Sequence, residues 1–136
     1  MYLIAFPLLI IPFALYNMIA FLLGMEFSTT VGTIPLLSGR SMPVSMGDLL
    51  VIFGALLLYV EILKATRLSS KAMIDHELSV ALFIVMVVEF MVVPSAATSS
   101  FMLLMTLSFV DVIGGLTITI RNAQHDLSVD GVERVR

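Results

Sequence analysis

The chain of 136 residues contains no cysteine and no tryptophan. Without thiols there is no disulfide framework, no thiolate metal site and no cysteine nucleophile. Charge is also scarce. Only 12% of residues carry one, where a soluble domain runs to about a quarter. A formal net charge of −3, with no basic patch interleaved with aromatics, excludes a nucleic-acid surface. Glycine-rich phosphate loops and H-E-x-x-H pairs are missing too. No internal repeat or low-complexity tract is present.

What remains is apolar: 60% of the chain is hydrophobic, which calls for lipid as the solvent. The apolar residues gather into runs at Tyr2–Leu23, Leu49–Leu63, Leu78–Val93 and Phe101–Ile120. With their mildly polar ends, each approaches the roughly 20 residues a helix needs to cross a bilayer. Transmembrane strands would alternate in polarity, and these runs are apolar all round. The first run is no cleaved signal: it lacks a positive leading region, is too long, and ends FLLGMEF without a small-residue cleavage site. The expected fold is all-α: an antiparallel bundle of four transmembrane helices, forming one domain over residues 1–120. The helices are expected at about 2–23, 47–68, 75–93 and 97–120, with an outer loop at 24–46 and a polar, loosely ordered cytoplasmic tail at 121–136.

Basic residues set the orientation. Lys64, Arg67 and Lys71 lie between the second and third runs, and Arg121, Arg134 and Arg136 follow the fourth. The segment after the first run has only Arg40, and PSAATSS has none. The positive-inside rule then puts both termini in the cytoplasm, and a bacterial inner membrane is the expected location. Pro94 and Ser95 break the chain so briefly that the third and fourth helices must form a tight antiparallel pair. Pro7 and Pro12 each remove a backbone donor, which predicts a kinked or irregular cytoplasmic end of helix 1.

The outer loop has a pattern of its own. TTVGTIPLL and SMPVSM flank the turn-like Ser38-Gly39-Arg40, which reads as a β-hairpin, although Pro35 and Pro43 would also suit an irregular loop. Ser45 and Asp48 fit a capping box, starting helix 2 there.

Five polar residues fall inside the apolar runs. At 1.5 Å per residue, Asp111 sits roughly 15 Å from Arg121 and Glu61 roughly 9 Å from Arg67, both in the inner half. Lys64 follows Glu61 at helical i+3 spacing. A bare charge at such depth costs a few kcal/mol at least, so intramembrane carboxylates turn inward to find a partner or take up a proton. The expected cluster has Asp111 and Glu61 sharing Lys64. Two stripes predict the contact that would bring them together: Ser100, Leu104, Ser108, Asp111 and Gly115 on helix 4, and Gly47, Gly54, Glu61 and Ala65 on helix 2. Most of these are small residues that let helices approach closely.

A second polar pair, Asn17 and Glu89, lies roughly 7 to 11 Å inside the outer boundary. Glu89 has three options: accept from the Asn17 amide, pair with Arg40, or stay protonated. Either the five residues are polar glue within the bundle, or they handle ions.

Other patterns carry less. The methionines, including Met25, Met42, Met46, Met102 and Met105, suit Cu(I) but equally fill irregular apolar gaps. His76 and His125, beside Asp75, Glu77 and Asp126, read as solvated surface histidines rather than metal ligands. Tyr2, Tyr16 and Tyr59 make a thin aromatic belt. Ser99 and Ser100 have no base on their side of the membrane to activate them. The expectations are therefore no enzyme, no cofactor and no metal. The expected role is a structural or accessory multi-pass protein, embedded in the lipid bilayer and packed against another membrane protein or a second copy of itself. The alternative is a small homo-oligomeric transporter or proton-coupled channel that uses the intramembrane carboxylates.

Overall fold

The computed structural model describes residues 6–67 and 70–135. Tyr2, the opening of the expected first helix, Arg136 and the side chain of Lys71 lie outside what it describes. The described residues are mostly helical, with four helices and one small two-stranded sheet. Helix α1 is Ile10–Asn17 and runs directly into a wider π-helical segment, Met18–Leu23. Strands β1 (Thr30–Pro35) and β2 (Ser41–Ser45) follow, then α2 (Met46–Ala65), α3 (Ser70–Val92), a 3-10 turn at Pro94–Ala96 and α4 (Ser99–Val135).

Helix α1 starts late because Pro7 and its neighbours form turns, while Pro12 falls in the first helical turn, where a missing N–H breaks no bond. At the other end, Gly24 closes the π segment with a left-handed φ of 58°, a conformation open to glycine. The irregularity expected from the prolines is thus confined to the residues before Ile10, and the main departure from α geometry lies at the opposite end.

The hairpin is formed. β1 pairs antiparallel with β2 in the register Gly32↔Val44, Thr33↔Pro43 and Ile34↔Met42, with a bulge between Thr30 and Gly32. The prolines are tolerated because both strands of a two-stranded ribbon are edges, so one side of each needs no donors. Gly39, at φ 79°, makes the turn, and Leu36 N–H donates to the Arg40 carbonyl at 2.8 Å. The hairpin feeds straight into α2 through the capping box: Asp48 N–H donates to Ser45 Oγ, and Ser45 N–H to Asp48 Oδ2. Phe27 and Thr29 carbonyls take the next two donors, from Gly47 and Met46.

Successive helices alternate in direction, and α2 packs most extensively on α4. Glycines permit that approach. A Cβ at Gly47 would meet Ser100 Oγ and, at 3.1 Å, the Phe27 carbonyl, and one at Gly54 would meet Leu104 at 2.9 Å. The two stripes read from the sequence do face each other. At the hairpin end, an aromatic cluster forms the core. Phe101 lies edge-on to Tyr16 at 4.8 Å and to Phe13 at 6.3 Å, and Tyr16 stacks on Phe27 at 4.1 Å.

The four expected crossings are supported in part, and one other expectation needs correcting. Among the described residues, only α2 and α4 are long and apolar enough to cross a membrane by themselves. Just 28% and 22% of their most apolar windows are buried, so most of each window faces outward. The continuous helix Ile10–Leu23 is about 21 Å long, short of a hydrocarbon core of about 30 Å. Helix α3 carries Lys71, Asp75 and Glu77 in its opening turns, which shortens its apolar section. The correction concerns the tail. Helix α4 continues unbroken to Val135 rather than ending near Ile120. No proline interrupts it, Arg134 sits in its last turn where the helix dipole favours a cation, and Asp130 precedes Arg134 at supportive i,i+4 spacing.

Candidate functional site

The polar residues converge at the end of the bundle opposite the hairpin, on three helices. On α2, Glu61 is 3% exposed, and Lys64 binds its Oε1 at 3.1 Å. The same ammonium reaches Asp75 Oδ2 on α3 at 3.1 Å and the Phe6 carbonyl at 2.9 Å. Leu8 N–H donates to Glu61 Oε2 at 3.0 Å, tying the start of the chain to the cluster. Asp111 of α4 is 6% exposed. It lines a small cavity of about 20 Å³ with Glu61, Asp75, His76, Ser79 and Gly115. Gly115 makes room for the imidazole: a Cβ there would come within 2.7 Å of His76 Nδ1.

The expected cluster is therefore assembled, with one change of partner. Glu61 and Lys64 pair as expected, but the second carboxylate on Lys64 is Asp75, not Asp111. Lys64 lies a turn beyond Glu61 toward the end of α2, alongside the opening turns of α3, so Asp75 meets it first. Asp111 Oδ2 has no hydrogen-bond partner among the described residues, and neither does Asp75 Oδ1.

From the sequence, His76 reads as a solvated surface histidine with Asp75 as its acidic neighbour. Both line the cavity instead, and Asp75 is 7% exposed. The missed signal was periodicity: Asp75, Ser79, Leu82 and Met86 follow helical spacing, and all four are buried. His125 stays exposed on the extended α4. Among the described residues no group of histidine and acidic side chains is arranged to hold a metal ion.

The second pair also meets. Asn17 Nδ2 donates to Glu89 Oε2 at 3.4 Å and to the Phe13 carbonyl at 3.3 Å, the first of the three options open to Glu89. Asn17 Oδ1 and Glu89 Oε1 find no donor among the described residues. The pair forms part of an apolar groove walled by Phe13, Phe21, Ile84, Val85 and Val88.

No protein family, curated protein or solved structure matches the chain. Function has to be argued from the site.

A third concavity, of about 680 Å³, opens at the hairpin end between Glu26, Ser28, Asp48, Thr98, Ser99 and Ser100. Between it and the carboxylates stands a packed layer in which Tyr16 and Phe101 are fully buried and Met86 nearly so. Tyr16, read from the sequence as part of an interfacial belt, belongs to this layer. Its hydroxyl donates to the Ser95 carbonyl and meets Thr98 Oγ1, both at 2.7 Å. Its ring fills the core, and its polar tip closes the bonds of the turn before α4.

Proposed function

We propose that the chain is a four-span integral membrane protein with both ends in the cytoplasm. It acts as a structural or accessory subunit, packing against another membrane protein or a second copy of itself. Helices α2 and α4 support two of the crossings by length and apolarity. The other two are α3 and the Ile10–Leu23 helix, the latter extended by the preceding turns. The single observation that carries the accessory reading is the packed layer of Tyr16, Phe101 and Met86. It stands between the recess at the hairpin end and the carboxylates at the other, so the described residues of one copy offer no polar path between them. The outward faces, by contrast, are rich in large apolar side chains, among them Phe21, Leu56, Val88 and Val92. These suit lipid or a partner helix.

The test is purification in mild detergent followed by native mass spectrometry. A constant foreign subunit or a defined oligomer is the expected result, and a lone monomer under all mild conditions would overturn the reading. Single cysteines at Ser38 and Ser128 check the topology on intact cells: an impermeant thiol reagent should label Ser38→Cys and not Ser128→Cys. The reverse pattern would invert the orientation.

A second reading, a homo-oligomeric transporter or proton-coupled channel, is favoured by the surplus, among the described residues, of three buried carboxylates over one lysine. Proteoliposomes under a proton gradient separate the two readings. A transporter loses flux with Asp111→Asn, whereas an accessory protein has none to lose.

A further inference from the structure

The cavity between α2, α3 and α4 contains more carboxylate oxygens than Lys64 can serve. An ammonium has three hydrogens. Those of Lys64 are committed to Phe6 O, Glu61 and Asp75 Oδ2, and none is left for Asp111. Two carboxylate oxygens, Asp75 Oδ1 and Asp111 Oδ2, are buried without a partner, on residues 7% and 6% exposed that line the same small space. Buried polar groups are ordinarily bonded, and an unpaired acceptor away from water is costly, more so when charged.

Among the described residues, the titratable and charged groups facing that space can be named. They are Glu61 and Lys64 from α2, Asp75 and His76 from α3, and Asp111 from α4. The described residues before α1 contribute only the Leu8 amide and the Phe6 carbonyl. Among the described residues, three carboxylates thus face one lysine and one histidine. No group of these side chains is arranged for a metal ion among the described residues. At about 20 Å³ the space admits little more than one water, for which roughly 10–15 Å³ suffices.

We infer that this cavity is a binding site for one exchangeable proton, shared between Asp75 and Asp111 directly or through a single water. The proton supplies the donor that both orphan oxygens lack and reduces the surplus of negative charge. Small residues give the site its shape: Ala65, Ala72 and Gly115 line it beside the ionisable groups, and Gly115 seats the His76 ring. The site does not depend on either functional reading above, since it requires neither a partner nor ion flux.

Infrared difference spectroscopy of the protein in lipid tests it, between about pH 5 and about pH 9, the span over which buried carboxyls and histidine titrate. A protonated-carboxyl C=O band should disappear as pH rises. It should be lost in Asp111→Asn and kept in Asp126→Asn, on the exposed end of α4. Because a variant can misfold, the wild type is also grown on aspartate with heavy carbon in its side-chain carboxyl, which should shift the same band. The inference is overturned if wild type shows no such band, if only labelled glutamate moves it, or if it responds to sodium at constant pH.

Discussion

Lys64 on α2 and Asp75 on α3 meet at 3.1 Å, at the end of two consecutive helices that otherwise touch little. The same lysine holds Glu61 on its own helix and the Phe6 carbonyl ahead of α1. Replacing it by methionine strands two carboxylates at once, and breaking a buried pair costs about 3–5 kcal/mol. Lys64→Met should therefore lower thermal stability steeply. Adding Asp75→Asn should give a loss smaller than the sum of the two single changes by about 0.5–3 kcal/mol. The deviation should be larger than for Lys64→Met with Asp111→Asn, because Asp111 does not bond the lysine. Strict additivity with Asp75, measured by thermal melts in one detergent, would contradict the geometry.

The glycines of α2 should not be equivalent. A Cβ at Gly47 would press on Ser100 and on the rigid Phe27 carbonyl, whereas at Gly54 it meets the movable tips of Leu104 and Leu107. Gly47→Ala is expected to cost about 1–3 kcal/mol, as overpacking does, and Gly54→Ala less. Melting curves of the two variants decide it, and a more damaging Gly54→Ala would mean that the α2–α4 contact is tighter at its middle than at its end.

Tyr16→Phe keeps the ring stack on Phe27 and removes only the hydroxyl, which bonds the Ser95 carbonyl and Thr98 Oγ1. At about 0.5–1.5 kcal/mol per bond, a loss of about 1–3 kcal/mol is expected. Tyr16→Ala should cost more, since it also opens a cavity in the aromatic core. Equal losses in the two variants would assign the whole effect to the hydroxyl.

In the hairpin, the left-handed Gly39 is the position most sensitive to substitution, because a β-branched residue there is strained by roughly 1–2 kcal/mol. Amides in the β1–β2 ladder should exchange slowly with solvent in the wild type and faster in Gly39→Val, with α2 unaffected. Rapid exchange throughout Thr30–Ser45 in the wild type would leave the ribbon without independent stability.

Local chemistry and hydropathy determined the element types. The scarcity of charge and the length of the apolar runs dictated helices, Ser45 and Asp48 dictated where α2 begins, and Ser38-Gly39-Arg40 dictated the turn of the ribbon. The small-residue stripes containing Gly47, Gly54 and Ser100 also announced which helix faces meet, because only small side chains permit that approach. Tertiary structure decided the rest. Hydropathy averages a window, so charges at the start of α3 hid the helical spacing of Asp75, Ser79, Leu82 and Met86 that turns Asp75 inward. Which carboxylate takes the second bond of Lys64 depends on how far the first turns of α3 lie from the end of α2, a distance that no spacing within one helix contains. The burial of Tyr16 depends likewise on the hairpin folding Phe27 back over its ring, a contact made across the bundle rather than along the chain.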